Sequence, residues 1–127
     1  VLLITHDLGV VAETCDRVVV MYAGKVVELA DVRTLFSNPS HPYTGALFRS
    51  LPDISARESV LETIPGMVPS AFEFADGCRF QARCNFATEI CEEEPPLVDI
   101  GAGHMVACHH REVAAAEQVR TLAGDQP

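Results

Sequence analysis

Four of the five cysteines in this 127-residue chain crowd into its rear half, as Cys78-x5-Cys84-x6-Cys91-x16-Cys108. Prolines at 65, 69, 95 and 96 and glycines at 66, 77, 101 and 103 break the same region so often that long helices or strands have little room between residues 64 and 103. A stretch that irregular needs another source of order, and four thiols can supply one. They can gather round a metal or inorganic cluster, join as disulfides, or stay free. No charged n-region and cleavage site precedes them, and five is an odd number, so a reducing compartment and thiol ligands are expected rather than secreted disulfides. Both four-thiolate zinc and iron–sulfur centres fit the count. The Cys-x2-Cys knuckle of zinc ribbons is absent, and the long spacers suit separate loops converging on a bulky centre. At this point iron–sulfur, zinc and free thiols all remain open.

The front of the chain follows different rules. Residues 1–5 form a continuous apolar run, expected as a strand buried on both faces of a parallel sheet. Asp7 can cap a helix carrying Leu8, Val11 and Ala12, which should stop at Cys15-Asp16-Arg17. Residues 17–22 and 26–29 are rich in β-branched residues and flank Ala23-Gly24-Lys25, the pattern of a hairpin. Asp31 can cap a further short helix through Leu35 and Phe36, ended by Asn38-Pro39. Pro42 should open the next helix, carrying Leu47 and Phe48, and residues 112–122 carry apolar positions at helical spacing for a terminal helix.

The formal net charge of −9 repels nucleic-acid phosphates over most of the surface, so no nucleic-acid partner is expected. No window is long and apolar enough to span a bilayer, and the chain is expected to be soluble. Because it begins in an apolar run without an initiator methionine, it reads as a fragment of something longer.

His6 lies where the expected strand gives way to a helix, the place where open α/β sheets present ligand-contacting groups. A histidine there either donates a hydrogen bond to a phosphate or satisfies a polar turn. The run Leu3-Ile4-Thr5-His6-Asp7-Leu8-Gly9-Val10-Val11-Ala12, followed by residues 15–28, resembles the histidine-switch segment and following hairpin of ATP-binding-cassette transporter ATPases. The resemblance makes His6 the residue that contacts the γ-phosphate of ATP, bound with Mg2+, at an interface between two ATPase subunits. Walker A, Walker B and signature motifs are all missing from these 127 residues. The segment alone is therefore expected to be inactive.

Phe36-Ser37-Asn38-Pro39-Ser40-His41-Pro42-Tyr43-Thr44 resembles the Asn-Pro-x-His-Pro-Tyr-Thr motif of ATPases from oligopeptide, dipeptide and nickel importers. Its plain reading is a rigid helix start in which Tyr43 and Phe48 pack on the α/β body and His41 serves the turn. Residues 64–69 and 77–97 resemble the C-terminal extension of the same ATPases. That resemblance implies a 4Fe–4S cluster on Cys78, Cys84, Cys91 and Cys108, with zinc the alternative and Arg79 and Arg83 placed to offset negative charge. Cys15 reads as a small core residue, and Glu92-Glu93-Glu94 as a solvated loop.

The resulting expectation is an α/β fold. Residues 1–38 would be the C-terminal remnant of a nucleotide-binding domain, and residues 39–127 an irregular Cys-rich extension. The resemblance implies ATP-driven import of oligopeptides or dipeptides, with a second ATPase subunit and membrane permease subunits as partners. It places the protein peripherally on the cytoplasmic face of the inner membrane. The alternative from another class is a stand-alone zinc or iron–sulfur module without ATPase activity.

Overall fold

A computed structural model of the chain describes residues 2–49, 67–68, 70, 73 and 76–112. Helix α1, Leu8–Thr14, begins where expected because Asp7 stays extended and its Oδ1 accepts the Val10 amide at 3.2 Å. Strands β1, Arg17–Tyr22, and β2, Lys25–Asp31, pair antiparallel through a two-residue turn. Ala23 and Gly24 take φ of 50° and 81°, both left-handed, which matches the twist of the flanking strands. Helix α2, Val32–Ser37, is capped by Asp31, whose carboxylate accepts the Thr34 amide at 2.9 Å and the Thr34 hydroxyl at 2.6 Å. Helix α3, Pro42–Arg49, opens on a proline whose missing amide hydrogen costs nothing at that position.

Two further strands come from the rear of the chain. β3, Val98–Asp99, and β4, Met105–Val106, form a hairpin across residues 100–104, in which Gly101, Ala102 and Gly103 all have positive φ. β4 lies against β2, giving one antiparallel sheet in the order β1-β2-β4-β3. Ahead of β3, the described residues from 77 to 97 hold short 3-10 turns, Gln81–Arg83 and Glu89–Glu92, and no longer element.

One sheet face carries the core. Val20, Tyr22, Val27 and Ala30 pack with Leu35 of α2, Phe48 of α3 and Phe80 of the cysteine loop. Phe48 stacks on Phe36 with centroids 4.6 Å apart, and Tyr43 meets Tyr22 edge-on at 4.8 Å. The expected packing of Tyr43 and Phe48 on the α/β body is therefore observed.

The expectation of a leading parallel strand is not met. Residues 2–5 have no regular structure, and Leu2 and Ile4 are 88% and 89% exposed. A strand buried on both faces needs a neighbour on each side, and every strand pairing among the described residues is antiparallel and lies elsewhere. The expected terminal helix, residues 112–122, lies outside the described residues apart from residue 112, which is helical.

Candidate functional site: a thiol cluster gripped by the hairpin

The cysteine loops are built by close backbone approach. The Cys78 amide donates to the Cys91 carbonyl at 2.9 Å, so two of the thiols start from touching segments. Gly77 makes that approach possible, because a Cβ there would lie 2.2 Å from the Cys91 carbonyl oxygen. Downstream, His109 Nε2 donates to the Glu93 carbonyl at 2.7 Å, and His110 Nε2 is hydrogen-bonded to Thr88 Oγ1 at 2.7 Å. These bonds tie the segment after Cys108 to the loops on either side of Cys91.

All five cysteines are free, and Cys91 and Cys108 are buried. Burial chiefly, together with the neighbouring thiols of Cys84, Cys78 and Cys91, which oppose a second negative charge, pushes the Cys108 thiol up to about 11. Burial likewise raises the Cys78 and Cys84 thiols, with Cys91 adding to both. The four sulfurs are thus near enough to feel one another's charge. Backbone amides work in the other direction. The Phe86 amide donates to Cys84 Sγ and the His110 amide to Cys108 Sγ, each at 3.4 Å, while the amides of Phe80 and Gln81 serve Cys78.

The expected metal cage is not closed. Among the described residues no group of three or more His, Cys, Asp or Glu side chains is arranged to hold a metal ion. Four free thiols, three of them served by backbone amides, are a donor set whose chemistry fits a four-thiolate centre.

Arg79 and Arg83 do something the sequence did not suggest. Arg79 donates to the Ala23 carbonyl at 2.5 Å, and Arg83 donates to the Tyr22 hydroxyl at 3.2 Å while its guanidinium lies 5.7 Å from that ring's centroid. Lys25 pairs with Glu94 at 2.6 Å, and the ammonium and its hydrogen bond hold the Glu94 carboxyl below its ordinary value. Loops bearing Cys78, Cys84 and Cys91 thus grasp the β1–β2 turn from three points.

The second feature missed by sequence reading is a buried carboxylate. Glu28, fully buried on β2, accepts the Ser40 amide at 2.9 Å through Oε2 and the His41 amide at 2.7 Å through Oε1. His104 Nε2, also buried, lies 2.6 Å from Glu28 Oε2. A carboxylate that already accepts two amides offers only lone pairs, so the His104 Nε2 carries the proton of this bond. A charged residue inside the apolar run Val26-Val27-Glu28-Leu29 was the available signal.

His41 is a turn residue, as expected. Its Nδ1 accepts the Tyr43 amide at 3.0 Å, and burial lowers its pKa to about 3, keeping the ring neutral. His6 sits exposed at the bend before α1. Cys15 is half-buried with its sulfur 3.8 Å from Thr14 Oγ1, a less interior place than expected.

Comparison with known proteins places these features. A model of the oligopeptide/dipeptide transporter C-terminal region matches residues 27–91, just over half of the chain and including Glu28, His41 and three of the four clustered cysteines. A probable peptide ABC transporter ATP-binding protein of Sinorhizobium fredii is 56% identical over 110 residues, covering 85% of this chain and 33% of that protein. A putative peptide import ATP-binding protein of Brucella ovis is 47% identical over 122 residues, covering 90% of this chain and 36% of that protein. The dipeptide transport ATP-binding protein of Haemophilus influenzae is 47% identical over 109 residues, covering 85% and 33% respectively. The chain spans about a third of the length of these curated relatives. The reading as a stand-alone metal module finds no support among them, since each is named as an ATP-binding protein. The chain belongs to the oligopeptide/dipeptide transporter family and corresponds to its C-terminal region.

Proposed function

We propose that this chain is the C-terminal part of an ATPase subunit that powers ATP-driven import of oligopeptides or dipeptides. The observation that carries this reading is the alignment of 85% or more of the chain, at 47–56% identity, with proteins named for peptide transport and ATP binding. In that setting residues 1–38 end the nucleotide-binding domain and residues 39–127 form its extension. The partners are a second ATPase subunit and membrane permease subunits, reached from the cytoplasmic face of the membrane. No helix among the described residues is long and apolar enough to cross a membrane.

His6 is the γ-phosphate sensor of this reading. Its exposure at the head of α1 leaves the imidazole open to a nucleotide held by another part of the parent protein. An imidazole N–H donates to a terminal phosphate oxygen, and the bond is lost when that phosphate leaves. In the full-length protein, His6→Ala is expected to reduce ATP hydrolysis severely while ATP binding persists. Near-normal hydrolysis by that variant would remove His6 from the mechanism.

Cys78, Cys84, Cys91 and Cys108 are the residues that would hold a 4Fe–4S cluster, with zinc as the competing occupant. A bound centre supplies a rigid cross-link between loops otherwise held by weak contacts, and in the iron–sulfur case a redox-active one. The chain's part is to direct amides at the sulfurs and to exclude water by burying Cys91 and Cys108. Anaerobic purification with iron, sulfide and zinc quantification tests the assignment. Brown protein with iron and sulfide supports the cluster, and stoichiometric zinc supports the competitor. A metal-free protein equally stable after all four Cys→Ser changes excludes both.

A further inference from the structure

Strand β4 is two residues long and meets β2 through only two residue pairs, Glu28 with Val106 and Leu29 with Met105. So short a ladder holds its register weakly, and a slip of one residue would turn every side chain to the opposite face. Val106 is fully buried and Cys108, two residues on, is buried as well, so the observed register is what carries the Cys108 sulfur inward. Beyond these pairs, the Ala107 amide donates to the Val27 carbonyl at 2.9 Å.

A side-chain lock stands at the head of this strand. His104 follows the tight turn at residues 101–103, and its Nε2 reaches Glu28 Oε2 at 2.6 Å with both groups buried. Glu28 is itself fixed by the Ser40 and His41 amides just ahead of α3, so it cannot follow a sliding strand. We infer that Glu28, acting through His104, is a positioning residue that holds β4 in the register presenting Cys108 to Cys78, Cys84 and Cys91. The β1–β2 hairpin then serves as the common template, since Arg79 and Arg83 dock the Cys78 and Cys84 loops on the same hairpin. The role in metal binding rests on the four-thiolate reading above; the placement of Cys108 does not.

The test is site-resolved alkylation of the reduced, metal-free full chain with N-ethylmaleimide, read by mass spectrometry, on His104→Leu and His104→Gln. Leucine removes the donor, whereas the glutamine amide can still reach Glu28. In His104→Leu, Cys108 is expected to label about tenfold faster or more, because labelling follows local opening and a hydrogen bond to a charged group is worth a factor of that order. Cys15 should label at the parental rate, and His104→Gln should restore slow labelling of Cys108. Unchanged Cys108 labelling in His104→Leu, or equal acceleration of all five cysteines, would overturn the inference. A parallel titration with cobalt(II), followed by its thiolate charge-transfer absorption, separates the two readings. A parental chain that gives no such absorption yet shows His104-dependent protection of Cys108 defeats the four-thiolate centre and upholds the positioning role.

Discussion

His104 Nε2 and Glu28 Oε2, 76 residues apart in sequence, lie 2.6 Å apart in the interior and join the rear of the chain to its front hairpin. Removing the acid end of that bond exposes its worth. Glu28→Ala strands the Ser40 and His41 amides together with the His104 N–H, three buried donors at once. We expect a loss of about 3–5 kcal/mol, the range for a buried charge network broken from one side, measured by urea denaturation.

Much of the local architecture was legible because it is governed by near neighbours. Asp7 and Asp31 announced their helices by capping chemistry, Pro42 announced the start of α3, and Ala23-Gly24 announced the hairpin turn. The Glu28–His104 bond was not legible, because nothing in either local sequence fixes a partner so remote. Nor was β4, whose two residues carry no periodicity and are strand only by virtue of β2 beside them. The leading apolar run misled for the same reason in reverse. Its composition suits a buried strand, but the strand depends on neighbours that the described residues do not provide. Cysteine spacing drew attention to four thiols and left their separations undetermined.

Gly77 offers a second test. A methyl group at this position would sit 2.2 Å from the Cys91 carbonyl oxygen and 2.4 Å from the Glu92 carbonyl carbon, both backbone atoms that cannot swing aside. Gly77→Ala is expected to cost about 1–3 kcal/mol or more by overpacking. It should also open the Cys78–Cys91 backbone bond, visible as faster hydrogen exchange at the Cys78 amide.

His41 predicts an acid sensitivity. Its folded pKa of about 3 lies below the ordinary 6.5, so between those values the unfolded chain binds a proton that the folded chain refuses. Stability from this residue is complete above pH 6.5 and falls progressively as the pH drops towards 3. His41→Asn keeps an acceptor for the Tyr43 amide without a titrating ring, and should flatten that part of the stability profile in thermal melts.

Thiol protonation sets the pH response of metal uptake. Burial holds the Cys108 thiol at about 11 and raises those of Cys78 and Cys84, so at neutral pH each must lose a proton to become a ligand. Zinc loading is expected to release about three to four protons per ion and to weaken steeply as the pH falls. A pH-indicator titration in weak buffer measures both. Uptake without proton release would show that these thiols are not the ligands.

Both hairpin turns place an alanine in the left-handed region, Ala23 at φ 50° and Ala102 at φ 52°. Asparagine or glycine tolerates that conformation better, at a saving of up to about 1 kcal/mol per site. Ala102 is exposed, so the side chain there is free to change, whereas the Ala23 side chain packs against the core. The bend at position 102 is therefore a natural foothold for engineering: a hardier version of this segment is reachable by editing that corner while its interior stays untouched.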